Sequence, residues 1–315
     1  MNPILEVDGL SISFPQATPR PRQRRLTVIR DLSLTIAAGQ ILAVVGASGS
    51  GKSLLAHSIL GILPDNSRIE GRMQYCGMPL TQARKQALRG REMVLVPQGV
   101  SYLDPLMKVG PQIRRGSRAL EARNKSRTVL DRYGLGPETE KLYPFELSGG
   151  MARRIMIATA VMETPKLVVA DEPTPGLDAL AAKRILGHFR ELADAGAGVL
   201  FITHDLELAL VVADRVLVLY AGETIEEAAA EDFTSAALLR HPYTRSLWNA
   251  MPQHGFVPIL GAQPYPGDLE AGCLFAPRCP LCRPACRSVP KIAYRPFRGG
   301  YVRCLLAENE GTLCD

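Results

Sequence analysis

The chain has 315 residues, 46% of them hydrophobic and 22% charged, with a net charge of +6. These proportions exclude an intrinsically disordered chain, a collagen and a disulfide-dense miniprotein. They point to two domains, or one large domain with an appendage. The longest apolar candidate, Leu206 to Tyr220, is interrupted by Glu207, Asp214 and Arg215, so no run reaches the ~20 residues that span a bilayer. Glu6 and Asp8 sit in an N-terminus without a continuous apolar stretch, so no signal peptide is expected and the chain reads as cytoplasmic. Part of the positive excess is local, in Arg20, Arg22, Arg24 and Arg25. That loop reads as solvated, because no aromatic residue is interleaved for base stacking, and no nucleic-acid partner is expected.

In chain order, Ile4 to Phe14 and Val28 to Ile36 alternate like antiparallel strands, with a turn at Ala38-Gly39. Ile41 to Val45 is a continuous β-branched and apolar run, as expected of a strand buried on both faces. A helix is predicted to begin near Lys52. Further buried strands are predicted at Met93–Val96, Leu167–Ala170, Val199–Thr203 and Val216–Tyr220, with helical patterns between them. Such alternation predicts an α/β fold with a parallel sheet covered on both faces. Helices predicted over Arg114–Arg132 and Met151–Met162 would form a helical subdomain, about residues 100–163. Near residue 252 the texture turns rich in Pro, Gly and Cys, which divides the chain into residues 1–252 and 253–315.

Gly46-Ala47-Ser48-Gly49-Ser50-Gly51-Lys52-Ser53 fits G-x-x-x-x-G-K-[ST] between a buried strand and a helix. Glycines at Gly46, Gly49 and Gly51 let backbone N–H groups, including those of Ser48 and Ser50, turn inward around phosphate oxygens. The helix N-terminus favours the same anion. Lys52 can reach the outer phosphates and the Ser53 hydroxyl can ligand Mg²⁺. The run Leu167 to Ala170 ends in Asp171 and Glu172. Strand C-termini face the ligand crevice in such sheets, so Asp171 is a Mg²⁺ candidate and Glu172 a candidate to polarise the attacking water. Val199 to Ile202 leads likewise to His204, a candidate hydrogen-bond donor to a γ-phosphate, and Met93 to Val96 leads to Gln98, an amide suited to touching Mg²⁺.

Leu147-Ser148-Gly149-Gly150-Met151, just before an amphipathic helix (Ala152 to Met162), resembles the signature motif of ATP-binding cassette (ABC) proteins. With the phosphate loop, Gln98, Asp171-Glu172 and His204 in the same order, the resemblance covers residues 4 to 252. It implies the cassette architecture: a parallel core sheet with helices, an antiparallel β subdomain and a helical subdomain. It implies ATP and Mg²⁺ as ligands, with ATP sandwiched between the phosphate loop of one cassette and Ser148 and Gly150 of another. Glu172 resembles the general base, His204 the switch histidine and Gln98 the residue that senses the membrane subunit. Asp178 resembles the aspartate that communicates across the dimer, and Phe14 the aromatic that stacks on adenine. Met151 stands where glutamine is more usual, and Gly176-Leu177-Asp178 departs from the usual Ser-Ala-Leu-Asp.

Leu142-Tyr143-Pro144-Phe145-Glu146, His241-Pro242-Tyr243-Thr244 and Cys273-Leu274-Phe275-Ala276-Pro277-Arg278-Cys279-Pro280 resemble the peptide and nickel importer branch. The branch implies an importer of peptides, nickel or a metal chelate. Its ATPase would sit on the cytoplasmic face of the cell membrane with a second, different cassette, two permease subunits and an extracytoplasmic binding protein. Val100–Gly110 and Ala152-Arg153-Arg154 look closer to the nickel and metallophore members. Six of seven cysteines follow residue 272. Cys273, Cys279, Cys286 and Cys304 have a spacing that some branch members use for an iron–sulfur cluster. Four thiolates suit [4Fe–4S] or Zn²⁺, and reduced, metal-free thiols are the third reading. Cys282 and Cys314 would be spare, and Cys76 is expected as an isolated buried thiol. Two other functions are open to a cassette: a non-catalytic regulatory subunit, which predicts loss of Glu172 or His204, and a soluble non-transport ATPase, which predicts two cassettes or a long coiled coil. The sequence carries neither signature.

Overall fold

The computed structural model describes residues 3–16, 24–162 and 164–308. In chain order the elements are β1 (Pro3–Gln16), β2 (Arg24–Ala37), β3 (Ile41–Val45), α1 (Lys52–Leu60), β4 (Arg68–Tyr75), β5 (Met78–Pro79), α2 (Gln82–Leu88) and β6 (Met93–Val96). Then come α3 (Val109–Ile113), α4 (Leu120–Arg132), α5 (Gly149–Val161), β7 (Leu167–Asp171), α6 (Ala179–Asp194), β8 (Gly198–Thr203), α7 (Leu206–Val212) and β9 (Arg215–Tyr220). The chain continues through β10 (Glu223–Ala229), α8 (Pro242–Asn249), α9 (Ala285–Ser288), β11 (Arg295–Phe297) and β12 (Gly300–Val302).

Two sheets result. One is antiparallel, in the order β2-β1-β4-β5; the other has eight strands, in the order β11-β12-β10-β9-β3-β8-β7-β6. The strands from β6 to β9 are mutually parallel, and β10, β12 and β11 continue the sheet antiparallel. β3 shows why its sequence is apolar throughout. Ile41, Ala43 and Val45 pack on the face covered by α4 to α7, while Leu42 and Val44 pack on the face shared with α1 and the antiparallel sheet. With both faces covered, alternation has no role.

The cysteine-rich extension is grafted onto this sheet. β12 pairs with β10 through Val302 opposite Glu226 and Tyr301 opposite Glu227. β11 is an edge strand, the position where Pro296 costs no ladder hydrogen bond. Glu226 is buried and accepts the backbone N–H groups of Arg240 (2.7 Å) and His241 (2.7 Å), which fixes the chain as it enters α8.

Two expectations are corrected. The helix predicted from Arg114 starts only at Leu120, because Arg115 (φ 49°) and Gly116 (φ 78°) are left-handed and end α3. Cys76 is exposed, not buried. With Gly77 it forms the tip of the β4–β5 hairpin, and both residues have positive φ, as the tight hairpin turns require. Arg20, Arg22 and Cys314 lie outside the described residues. Arg24 and Arg25 are exposed, and their guanidinium groups bond the carbonyls of Gly267 and of Ser13 and Asn66.

His188 on α6 joins the helical subdomain to the core. Arg132 Nε donates to His188 Nε2 (3.1 Å), and Tyr133 meets the imidazole edge-on at 4.5 Å. Burial first, then the charges of Arg132 and Arg184, push its pKa down to about 4. An unfolded histidine titrates near 6.5. Between these values the unfolded chain holds the extra proton, so stability is full above pH ~6.5 and falls as pH drops toward 4. Thermal unfolding at pH 7.5 and pH 5 is expected to show this loss, and His188→Gln a flatter profile. An unchanged pH slope in the variant would contradict this assignment.

Candidate functional site

A cavity of about 510 Å³ opens at the C-terminal ends of the parallel strands and is bordered by Ser48, Gly49, Gly51, Lys52, Ser53, Gln98, Glu172 and His204. Eight residues picked from separate motifs in the sequence therefore meet at one place. Val28 of β2 and Leu54 of α1 also line it and carried no sequence signal, since both read as ordinary apolar positions.

The loop between β3 and α1 is built for an anion. Gly46 runs against β9: a Cβ there would stand 2.3 Å from Leu219 O. Gly51 takes φ 100° and caps α1 without a side-chain bond, so the first N–H groups of the helix are not consumed by a cap. Lys52 is buried and donates to Gly46 O (2.7 Å) and Ala47 O (3.0 Å), which holds its ammonium over the loop. Burial lowers its pKa, while the charges of Glu172 and Asp171 act the other way.

Asp171 closes β7 beneath the loop. Burial raises its pKa, and the Ser53 hydroxyl bonds it and opposes that shift. Among the described residues its Oδ1 is buried without a hydrogen-bond partner, and so is Ser50 Oγ. An acidic oxygen left unsatisfied beside a serine hydroxyl under a phosphate-type loop fits a divalent cation, a demand that a purely structural carboxylate would not leave open.

Glu172 has a strained backbone, φ 48°. A non-glycine residue there costs about 1–3 kcal/mol, and such strain concentrates at functional sites. Its amide donates to Ile202 O (2.9 Å), Thr203 Oγ1 lies 3.5 Å from Oε2, and His204 Nδ1 stands 2.8 Å from Oε1. The carboxylate is thus held buried at the cavity wall, while the imidazole stays largely exposed at its mouth.

Other predicted residues lie elsewhere. Phe14 is half-buried opposite Leu26 and packs on the core below the antiparallel sheet, outside the cavity lining. Ser148 is exposed and caps α5 by accepting from Met151 N (3.2 Å). Gly150 stands at that helix start, and Asp178 caps α6 by accepting from Ala181 N (2.8 Å).

The four tail cysteines converge. Cys273, Cys279, Cys286 and Cys304 line one cavity with His241, and its free space, about 10 Å³, matches a single water-sized occupant. Burial pushes the Cys273 thiol up to about 12 and raises Cys279 and Cys304. Among the described residues no group of three or more His, Cys, Asp or Glu side chains is arranged as a finished metal cage. The donor chemistry suits a soft metal; the space the thiols enclose is water-sized. The six described cysteines, Cys282 included, are free.

A phosphate-type loop, an acidic strand end and the histidine after β8 meet at one cavity on a parallel sheet, and a capped Ser-Gly-Gly helix start lies outside that lining. A family model described as ABC transporter matches residues 29–175, and one described as oligopeptide/dipeptide transporter, C-terminal region, matches residues 225–286. The oligopeptide transport ATP-binding protein OppD of Salmonella typhimurium is 36% identical over 94% of this chain and 92% of its own length. OppD of Haemophilus influenzae is 34% identical over 99% of this chain and 100% of its own. A dimeric ATP-binding cassette in a post-hydrolysis state, bound to ADP and Pi, superposes with a TM-score of 0.64 over 72% of this chain and 98% of its own, at 23% identity. The chain belongs to the family of ABC transporter ATP-binding proteins, and it is an ATPase.

Proposed function

We propose that this chain is the ATP-hydrolysing subunit of a peptide importer. The observation that carries this reading is the convergence of Lys52, Ser53, Gln98, Glu172 and His204 on one cavity in a chain similar along its whole length to oligopeptide transport ATPases. Peptide is preferred to nickel or a metal chelate because both named relatives are oligopeptide proteins. The Ala152-Arg153-Arg154 likeness to nickel members is the weaker argument. The test is uptake of labelled oligopeptides against labelled nickel in cells that depend on this chain; loss of nickel uptake alone would overturn the peptide assignment.

In this reading the backbone N–H groups of residues 47–53 and Lys52 hold the ATP phosphates. Ser53 and Asp171, with Gln98, would hold Mg²⁺, which supplies charge neutralisation when bound. Glu172 orients and deprotonates the attacking water, and His204 fixes Glu172 and touches the γ-phosphate. Phe14 is the candidate for adenine. Ser148 and Gly150 serve the ATP of a second cassette, with Asp178 beside that interface. The support is the exposure of Ser148 and Asp178 and the absence of all three residues from this chain's own cavity lining. The second cassette is proposed to be a different chain.

Two permease subunits and an extracytoplasmic binding protein complete the assembly. No helix among the described residues is long and apolar enough to cross a membrane, and the chain is proposed to work on the cytoplasmic face. An apolar groove of about 310 Å³ next to Gln98, lined by Pro97, Tyr102, Leu103 and Met156, supports permease docking there. Residues 1–252 are the proposed nucleotide-binding part and 253–315 the extension. For the extension we propose a [4Fe–4S] cluster on Cys273, Cys279, Cys286 and Cys304, supported by the gathering of the four thiols around one cavity; its free space of about 10 Å³ means that the thiols would have to spread to admit the cluster. Full-length chain purified without oxygen is expected to carry iron and sulfide. Zinc instead, or four alkylatable thiols without metal, would overturn the cluster.

A further inference from the structure

Arg153 sits one turn into α5, the helix that begins at the Ser148-Gly149-Gly150 motif. Its side chain is buried. One guanidinium nitrogen, Nη1, donates to Glu172 O at 2.8 Å and to Pro97 O at 3.4 Å. Both acceptors are main-chain carbonyls. Among the described residues no carboxylate lies within ion-pair distance of it, which is unusual for a buried cation. A methionine would fill the same space without burying a charge, so packing alone does not account for an arginine here.

The two carbonyls matter because of where they lie. Glu172 O belongs to the residue with left-handed φ 48°, whose backbone sets the direction of the carboxylate. Pro97 O immediately precedes Gln98, at the end of β6. One guanidinium therefore ties together the signature helix, the backbone of Glu172 and the root of the Gln98 loop. Burial lowers the pKa of Arg153, and the charge of Glu172 opposes that shift.

We propose that Arg153 is a positioning residue for ATP hydrolysis: it clamps the strained Glu172 backbone and the base of the Gln98 loop to the signature helix. Movement of α5, when its Ser-Gly-Gly end engages nucleotide, is then passed directly to the carboxylate that handles water and to the loop facing the permease groove. Arg153 does not line the cavity that the phosphate loop borders, and through it α5 reaches Glu172 without passing through that loop. The inference rests on the reading of Glu172 as general base.

The test uses the full chain assembled with its partner subunits. ATPase kcat and KM for ATP are measured for Arg153→Met, Arg153→Gln and Arg153→Lys, with melting temperature recorded for each and Glu172→Gln as reference. The expected result for Arg153→Met is a kcat loss of roughly tenfold to a hundredfold, the size of effect that a misplaced catalytic group produces. KM should stay within about twofold, since the phosphate loop is untouched. Arg153→Lys, which keeps a charged donor, should recover part of kcat, and Arg153→Gln less. A kcat unchanged in Arg153→Met would overturn the proposal. So would equal values for Lys and Gln, a comparison that still decides the matter if the methionine variant does not fold. If Glu172→Gln itself retains turnover, the general-base reading fails, whatever Arg153 does. If Glu172→Gln stops turnover and the Arg153 variants do not, only the clamp fails.

Discussion

Replacing Glu172 by glutamine is expected to leave ATP binding at this site intact and to lower its turnover by roughly 10²–10⁴-fold, the range for loss of a general base. Glutamine keeps the shape and can still accept from His204, whose Nδ1 stands 2.8 Å from Glu172 Oε1. What it loses is the ability to take a proton. The backbone amide bond to Ile202 O and the left-handed φ do not depend on the carboxylate, so the variant should fold. Binding of a fluorescent ATP analogue and single-turnover hydrolysis check both halves. Turnover at the wild-type rate would remove Glu172 from the reaction.

Lys52→Ala is expected to act earlier, at binding. The ammonium is buried and held over the phosphate loop by Gly46 O and Ala47 O. Charge-assisted hydrogen bonds of this kind contribute about 1.5–3 kcal/mol each, so loss of even one to a phosphate weakens ATP affinity by roughly 10–150-fold. The charges of Glu172 and Asp171 also act on this ammonium, and removing it takes away a positive charge that opposes theirs. Calorimetric titration with ATP checks this; an affinity within about threefold of wild type, against the tenfold expected per 1.4 kcal/mol, would contradict it.

Much of the site was legible in the sequence because its chemistry is local. The phosphate loop, the acids after β7 and the histidine after β8 each follow a buried parallel strand, and strand C-termini in such a sheet converge on one crevice. The tertiary fold only had to bring the strands into register, as it does for β7 and β8, paired from Leu167–Gly198 to Asp171–Ile202. What escaped was set by single backbone conformations. Arg115-Gly116 breaks a helical pattern that continues through both residues, and Cys76 sits at a turn position with positive φ beside Gly77. Arg153 was visible only as part of a sequence likeness, because its role lies in two carbonyls distant along the chain. The graft of β12 onto β10 was hidden by brevity: three residues carry no period, and β10, with Glu226 and Glu227 in its middle, does not look like a buried strand. Glu226 is tolerated there because two backbone amides and Arg240 satisfy it.

The most direct measurement is paired uptake of a labelled oligopeptide in cells carrying either the native chain or Glu172→Gln at equal expression. If ATP hydrolysis at this cavity drives peptide import, uptake collapses in the variant while nickel uptake is unchanged. Peptide uptake at the native level in the Glu172→Gln cells would contradict the account.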